Sequence, residues 1–334
     1  MNDSPLQPAE DTHVTAAAGA AAPSPDGAPD GFVPVLKAYA DLTRIHFFFA
    51  WPLLFCSGLM LAAAAYGTFS WWLLFKGALI GFFGFEAGLV LNDYIDRDYD
   101  RRDIENYRLT KYWRLFGNRP IPAGFVTPQA AFRLFALLFV TTLFLVATLP
   151  FPNCLFVFAI MLFSYAAEVF YQIKKRHQSF PVSQLVGRMD FALFPVAGYL
   201  CAGYPDGTAL AYFVFFYPFA MAHLGANDLI DIANDRAREL RTIPLLYGIN
   251  GTVYWIAGFT LLHAVAAALM FHQIGTIARG GILIGLFLMG AANVVILQNR
   301  DPDTAMKVLP LFHITMVIYA GSLILDSAIR IGLF

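Results

Sequence analysis

The sequence predicts an all-α protein that crosses a membrane about nine times, and three observations predict it. Hydrophobic residues make up 58% of the 334-residue chain and charged residues only 13%, whereas soluble domains carry about 25% charged residues. Long apolar runs recur along the chain, each close to the roughly 20 residues that a transmembrane helix needs. Lys and Arg are concentrated in alternate loops. We therefore expect a polytopic helical bundle surrounded by membrane lipids.

The chain starts with a segment rich in Ala, Pro, Gly and Asp that has neither apolar periodicity nor a basic stretch. Such a composition is typical of a disordered tail rather than of a signal peptide. We assign residues 1–35 to this tail and residues 36–334 to one membrane domain. No basic stripe with interleaved aromatic residues indicates a nucleic-acid partner.

The apolar runs give the positions of the expected helices. Some neighbouring runs are separated only by short breaks that contain Gly or Pro, and the others by longer polar loops. The predicted spans are 45–66, 71–91, 130–149, 152–172, 185–203, 209–227, 251–271, 277–297 and 308–328.

The loops between these spans alternate in charge, which predicts their orientation. Lys and Arg are frequent in the loops 92–128, 173–184, 228–250 and 298–307, and rare in the loops between them. Because basic loops remain on the cytoplasmic side of a membrane, these four loops and the N-terminus should face the cytoplasm. An odd number of spans then places the C-terminus on the other side. The two longest basic loops, 92–128 and 228–250, are expected to form a cytoplasmic cap.

Two of the basic loops begin with copies of one acidic motif. Residues 91–101 read LNDYIDRDYDR, and residues 226–236 read ANDLIDIANDR. Each copy follows an apolar span, and each is followed by an Arg-x-Ile-Pro sequence, at 119–122 and 241–244. One Asp-rich stretch would ordinarily be a solvated loop. Two matched copies at the ends of membrane spans favour a functional site.

The spacing within each motif indicates what such a site would bind. On a helix, residues three or four positions apart share a face, and crowded carboxylates repel one another unless a cation neutralises them. Oxygen ligands without His or Cys suit Mg²⁺, which binds through carboxylates and substrate phosphates. Two facing clusters would hold a diphosphate through Mg²⁺, with basic residues on the remaining oxygens. The two expected polar stripes are Asn92, Asp96 and Asp100, and Asp228, Asp231 and Asp235.

The two motifs resemble the NDxxDxxxD and DxxxD signatures of the UbiA superfamily of intramembrane prenyltransferases. Residues 118–124, NRPIPAG, are similar to the NRPIPSG sequence of that family, and residues 235–244 resemble its second conserved segment. Tyr171, followed by Lys175 and Arg176, matches another family feature. The resemblance covers roughly residues 37–330.

This resemblance implies a U-shaped bundle around a large cavity that is open to lipid. It also implies Mg²⁺-dependent ionisation of a prenyl diphosphate donor and transfer of the prenyl group to a hydrophobic acceptor, either aromatic or lipid, at the cytoplasmic side. Asp96, Asp231, Arg119 and Lys175 would be catalytic. By the same resemblance, one Mg²⁺ would be held by Asn92, Asp96 and Asp100, the other by Asp228, Asp231 and Asp235, and the diphosphate by Arg119, Lys175, Arg176 and Arg241.

Five further residues are candidates for binding the acceptor. Arg44 and His46 begin the first span, and Arg188 and Asp190 begin the fifth. Ionisable residues in apolar runs usually face a cavity, although Arg188 and Asp190 could instead form a structural polar pair. Tyr171 lies near the same level, where its ring could also stabilise an allylic cation.

Three alternatives stay open at this point. Residues 104–117 form an insertion that could cap the site or contact a partner. Some relatives in the superfamily transfer phosphoribose from phosphoribosyl diphosphate to a polyprenyl phosphate, and the same metal site would serve that reaction. A membrane transporter could also use intramembrane carboxylates, but transporter sites lie near the bilayer midplane, whereas both motifs here lie at the ends of spans.

Overall fold

The computed structural model describes residues 31–333, and every regular element in this range is helical. Residues 1–30 of the predicted tail lie outside the described residues. The tail assignment is wrong for the last positions, because a helix begins at Phe32. The helices are α1 Phe32–Leu42, a 3₁₀ turn Ile45–Phe47, α2 Ala50–Tyr66, α3 Trp71–Asp100, α4 Leu109–Trp113, α5 Pro128–Ala147, α6 Asn153–Lys174, α7 Val182–Gly187, α8 Met189–Leu200, α9 Gly207–Ile230, α10 Ile232–Ala237, α11 Ile243–Met270, α12 Thr276–Gln298 and α13 Pro302–Arg330.

Within residues 31–333, eight helices are long and apolar enough to cross a membrane. They correspond to eight of the nine predicted spans. The remaining predicted span, 185–203, consists of the two short helices α7 and α8, which meet at Arg188. Together these helices cover residues 182–200, about 28 Å at a rise of 1.5 Å per residue. This length is close to the roughly 30 Å of the hydrocarbon core, so the pair is long enough for the predicted ninth span.

Polar contacts between helices show which helix ends lie together. Lys175, just after α6, donates to Asp96 near the end of α3. Arg108, just before α4, donates to Asp303 in the first turn of α13. The end of α3, the end of α6 and the start of α13 therefore share one end of the bundle, which we call the acidic end.

The opposite helix ends are joined in the same way. Tyr66, at the end of α2, donates to Asp206, which caps the start of α9. Asn153, at the start of α6, donates to the carbonyl of Gly203, just after α8. Because the other end of α6 lies at the acidic end, α8 runs from the acidic end to the opposite one. This direction supports the broken pair as a crossing.

The acidic motifs lie in helices rather than in loops. Helix α3 continues to Asp100, so the predicted cap loop 92–128 is wrong for residues 92–100. The second predicted cap loop, 228–250, is also largely helical, because it contains the end of α9, all of α10 and the start of α11. The acidic side chains are compatible with helical structure here, because neighbouring groups neutralise these side chains or form hydrogen bonds to them, as described below.

Helix α8 is held in place by a close crossing with α2. A Cβ atom on Gly58 of α2 would collide with the carbonyl oxygen of Pro195, and a Cβ on Gly198 of α8 would collide with that of Phe55. Small residues let membrane helices approach to backbone contact. The second half of α8 is thereby fixed against α2.

We expect Gly58→Ala to lower the free energy of unfolding by about 1–3 kcal/mol, the usual cost of overpacking, because the added methyl group meets backbone that cannot move aside. Gly290→Ala in α12 is the matched control, since a Cβ there meets nothing within 4 Å. Thermal unfolding of both variants in detergent measures the difference. Equal midpoints would contradict the close crossing.

Candidate active site

A cavity of about 300 Å³ lies between the helices, and its polar part is at the acidic end. Both predicted stripes line it. Deeper in the bundle the wall becomes apolar and aromatic, with side chains from α2, α3, α6 and α8. The polar lining includes Asn92, Asp96 and Asp100 from α3 and Asp228, Asp231 and Asp235 from α9 and α10, and the apolar lining includes Trp51, Phe85, Val157, Met161 and Phe194.

The carboxylates of the first stripe are paired with basic side chains. Lys175 Nζ lies 2.6 Å from Asp96 Oδ2, and Arg176 Nη2 lies 3.3 Å from Asp96 Oδ1. Arg119 Nη1 lies 2.6 Å from Asp100 Oδ2. Lys175 and Arg119 line the cavity themselves, whereas Arg176 approaches Asp96 from outside the lining. The first stripe is therefore neutralised by three of the predicted basic residues.

Arg238 is a fourth basic residue of the site, and sequence reasoning missed it. Its guanidinium lies 3.4 Å from Asp100 and 3.7 Å from Asp231, and it also pairs with Asp103. Arg238 thus bridges the two stripes and lines the cavity. Its position three residues after Asp235 places it near the same face of α10, and this spacing is the signal that could have found it.

Arg241, which was predicted to hold the diphosphate, does not line the cavity. Its side chain is exposed, and its backbone makes the contacts instead. The amide of Arg241 donates to the carbonyl of Lys175 at 2.7 Å, and Gln178 donates to the carbonyl of Arg241 at 2.7 Å. Arg241 therefore joins the segment before α11 to the end of α6, and Arg238 occupies the place in the cavity that was expected for it.

The second stripe is bonded mainly by neutral donors. Thr242 donates to Asp235 at 2.7 Å, and Asn234 donates to Asp231 at 2.8 Å. Asp235 lies outside the membrane-spanning helices, and its burial, together with the negative charges of Asp231 and Asp228, raises its pKa well above the ordinary value. The charged form of Asp235 is therefore disfavoured as long as no cation lies beside it.

The donor set fits a hard cation such as Mg²⁺, because it consists of carboxylate oxygens with one amide. No three His, Cys, Asp or Glu side chains in residues 31–333 are grouped as a ready metal site. In the first stripe the reason is plain, since Asp96 and Asp100 are turned to Lys175 and Arg119. A bound cation would take over from these basic side chains.

A buried cluster next to the cavity holds two further arginines. Arg114 Nη2 lies 2.9 and 2.8 Å from the two carboxylate oxygens of Asp93, and Arg44 Nη2 lies 3.1 Å from one of them. Both arginines line the cavity. The predicted candidate Arg44 is thus at the site, positioned by a carboxylate that itself faces away from the lining.

The insertion at 104–117 covers the cavity. It contains α4, and Leu109, Trp113 and Arg114 all contribute to the cavity wall. Of the two expectations for this insertion, the structure supports the cap over the site.

Tyr171, Arg188 and Asp190 line the cavity as well. The Lys175 ammonium and the Arg188 guanidinium lie 5.0 and 5.4 Å from the centroid of the Tyr171 ring. Arg188 and Asp190 form no ion pair within 4.0 Å among the contacts of the described residues. Both side chains face the cavity, where they could contact a substrate.

His46 is the candidate that the structure does not bring to the cavity. Its ring nitrogen Nε2 lies 3.1 Å from the backbone carbonyl of Tyr112 in α4, so it supports the cap. Arg44 adopts a left-handed backbone conformation with φ 47°. The chain turns at this residue, and the two candidate side chains consequently point to different surroundings.

Comparisons with known proteins agree on the family that this chain resembles. The model of the UbiA prenyltransferase family matches residues 49–317. The chain is 30% identical to the digeranylgeranylglyceryl phosphate synthase of Natronomonas pharaonis over 55% of its own length, and it spans only 60% of that relative. It is 28% identical to the 4-hydroxybenzoate octaprenyltransferase of Aeromonas salmonicida, over 79% of this chain and 84% of the relative.

A solved structure has the same fold. The UbiA homolog from Archaeoglobus fulgidus, bound to DMAPP and Mg²⁺, superposes with a TM-score of 0.64 at 16% identity, covering 86% of this chain and 98% of that one. At this identity the likeness shows the fold alone. Together with the eight apolar helices, the comparisons establish an integral multi-pass membrane protein.

We expect Arg114→Gln to lower the free energy of unfolding by about 3 kcal/mol, because removing one partner of a buried ion pair leaves an uncompensated charge. This expected loss of unfolding free energy is at the low end of the usual range for a broken buried ion pair, because Arg44 still contacts Asp93. The matched control is Arg101→Gln, whose partner Asp98 is 61% exposed, and exposed pairs contribute less than about 1 kcal/mol. Equilibrium unfolding in mixed micelles measures both, and a similar loss in the two variants would argue against the buried cluster.

Proposed function

Because this chain belongs to the UbiA prenyltransferase family, and is therefore a transferase of prenyl groups, we propose that it uses a Mg²⁺-bound prenyl diphosphate to alkylate a hydrophobic acceptor within the membrane. The observation that carries this proposal is the meeting of two acidic stripes and three basic side chains at the polar end of one apolar cavity. A diphosphate with a long hydrocarbon chain has the same division between a charged head and an apolar tail.

Mg²⁺ would be held by Asn92, Asp96 and Asp100 on one side and by Asp228, Asp231 and Asp235 on the other. When bound there, Mg²⁺ stabilises the negative charge that develops on a departing diphosphate. The crowding of three carboxyl groups in the second stripe supports this assignment, because a divalent cation beside them would favour their charged forms.

The basic residues hold the diphosphate in this proposal. Arg119, Lys175 and Arg238 line the cavity beside the stripes, and each can donate to phosphate oxygens. Their positive charge favours the state in which the bond between the prenyl carbon and the diphosphate oxygen breaks. Their burial strengthens this effect, since charges interact more strongly where water is excluded.

The apolar wall serves the other half of the donor. Trp51, Phe85 and Phe194 form part of the apolar wall of the cavity, along which the prenyl chain can lie. Tyr171 stands between this region and the stripes, and an aromatic face stabilises a nearby cation by roughly 0.5–2 kcal/mol. Exclusion of water from the wall prevents the allylic cation from being trapped as an alcohol.

The active site would face the cytoplasm. The acidic end carries the basic loops that were identified in the sequence, and the positive-inside rule places such loops on the cytoplasmic side. Cysteine accessibility to an impermeant reagent, at Lys111 in the cap and at His272 near the opposite end, would test this orientation.

The named relatives use different acceptors, so the acceptor class stays broad here: aromatic or lipid. For the donor, the aromatic side chains of Trp51, Phe85 and Phe194 in the cavity wall support a prenyl chain over phosphoribose. A transporter is less consistent with the geometry, because both stripes lie at helix ends rather than near the middle of the spans.

The test is diphosphate release by the purified protein in nanodiscs, supplied with Mg²⁺, prenyl diphosphates of several lengths and candidate acceptors. We expect turnover that stops on chelation and falls at least about 100-fold in Asp96→Asn and in Asp231→Asn, the scale of losing one electrostatic contact in a transition state. Turnover with phosphoribosyl diphosphate alone would favour the other donor, and no diphosphate turnover at all would contradict both.

Two arginines in the second segment offer a sharper test of the diphosphate contacts. Arg238→Gln should lower kcat/KM for the prenyl diphosphate about 10- to 100-fold, since a charged hydrogen bond contributes roughly 1.5–3 kcal/mol. Arg241→Gln should change it less than about twofold, because only the Arg241 backbone contacts the site. Thermal midpoints of both variants show whether folding is intact, and a larger loss for Arg241→Gln would reverse the assignment.

A further inference from the structure

A histidine lies on the cavity face of α9, one helical turn deeper than the second acidic motif. His223, Asn227 and Asp231 are spaced by four residues and therefore share a face, and all three line the cavity. Asn227 donates its side-chain amide to the carbonyl of His223 at 3.1 Å, and the same nitrogen lies 3.4 Å from Nδ1 and 3.2 Å from Nε2 of the His223 ring. His223 thus continues the polar stripe of α9 toward the apolar part of the cavity.

The first motif has no such group at the matching position. In the internal repeat Asn92 corresponds to Asn227, so the residue one turn deeper on α3 is Gly88. Gly88 also lines the cavity, and a Cβ there would meet nothing within 4 Å. Beside α3 at this depth the polar groups come from α6, where the Tyr165 hydroxyl donates to the carbonyl of Gly84 and Glu168 accepts from Asn92. Helix α9, in contrast, presents an imidazole of its own to the cavity.

His223 is the first member of a hydrogen-bonded chain that leads into the cap. Its Nε2 lies 3.0 Å from Nε2 of His313 in α13, and Nδ1 of His313 lies 2.6 Å from the hydroxyl of Tyr112 in α4. Burial raises the pKa of Tyr112 to about 12. Tyr112 therefore stays a neutral hydroxyl, which can both donate and accept.

The three groups can share their protons in two ways. A neutral imidazole has one donor nitrogen and one acceptor nitrogen. In the first arrangement, His223 Nε2–H donates to His313, and His313 Nδ1–H donates to Tyr112. In the second arrangement, Tyr112 donates to His313, and His313 Nε2–H donates to His223. Only the first leaves His223 Nδ1 without a proton, as a base beside the cavity.

We propose that His223 takes the proton that the acceptor loses when it is prenylated, and that this proton leaves the cavity through His313 and Tyr112. This inference rests on the proposed prenyl transfer and adds the acceptor side of the same site.

The step balances as follows. The bond between the prenyl carbon and the diphosphate oxygen breaks, and diphosphate leaves with the electron pair. The acceptor forms a new bond to the prenyl carbon and loses one proton to His223 Nδ1. His223 passes its Nε2 proton to His313, His313 passes its Nδ1 proton to Tyr112, and the Tyr112 hydroxyl releases its own proton to water at the cap. The chain of groups changes from the first arrangement to the second.

The chemistry at His223 is shared by two sources of acceptor, a phenol and an alcohol of a glycerol lipid. The experiment therefore supplies 4-hydroxybenzoate in one arm and a glycerol phosphate ether lipid with one free hydroxyl in the other. Geranyl diphosphate and Mg²⁺ are present in both arms, with the full-length protein in nanodiscs. The O-methyl ether of each acceptor serves as its matched control. Prenylated product and donor hydrolysis are measured in the same reaction.

We expect one hydroxyl acceptor to be prenylated and its methyl ether to be refused. His223→Gln should lower kcat for transfer at least about 100-fold relative to donor hydrolysis, the scale of losing a general base, with a much smaller change in KM for the acceptor. Tyr112→Phe should lower the same ratio about 10-fold by interrupting the exit of the proton. His272→Gln, an exposed residue near the opposite end of the bundle, should change nothing.

Three results would overturn the inference: equal use of the methyl ether, a ratio of transfer to hydrolysis that does not change in His223→Gln, or donor hydrolysis without product from either hydroxyl acceptor. If His223→Gln does not fold, His313→Gln tests the same chain of groups. Failure of the proposed function would look different, since the wild-type protein would then turn over no prenyl diphosphate.

Discussion

The neutralisation of acidic side chains that are buried at one end of a membrane bundle is the constraint on which the rest of the structure depends. A buried carboxylate is costly unless it has hydrogen bonds or a cationic partner. Asp93, Asp96 and Asp100 lie on the last turns of one helix and are all buried. Their partners come from the cap, from the end of α6 and from α10, so these separate segments must meet at the same place. The cap over the cavity is thus a consequence of charge as much as of packing.

Much of the fold follows from the sequence because lipid imposes one simple rule. Each crossing needs a long apolar helix, and eight such helices lie where apolar runs predicted them. The ninth crossing is less regular, since Arg188 interrupts it between α7 and α8. The polar stripes were predictable for a related reason. The four-residue spacing of Asn92, Asp96 and Asp100 holds wherever the chain is helical, whether or not the segment lies in the membrane.

The basic residues of the site were harder to predict, because they depend on how irregular segments fold. Arg238 and Arg241 are three residues apart, yet one bridges the stripes and the other is exposed. The difference arises from the short helix α10, which turns Arg238 inward and ends before Arg241. Arg44 and His46 diverge in the same way, through a left-handed residue that apolar periodicity cannot reveal. Motif similarity predicted the segments that contain these residues, but tertiary contacts determine which of them reaches the cavity.

The two stripes are neutralised differently, and this difference bears on how a diphosphate could enter. The first stripe is paired with Lys175 and Arg119, while the second has mainly neutral donors. These basic side chains can bind a phosphate only by sharing or leaving the carboxylates that they now neutralise. Burial would then disfavour the charged forms of those carboxyl groups, as it already does for Asp235. Positive charge must therefore arrive together with the diphosphate, which is the balance expected for a donor that binds with its divalent cations rather than as a bare anion.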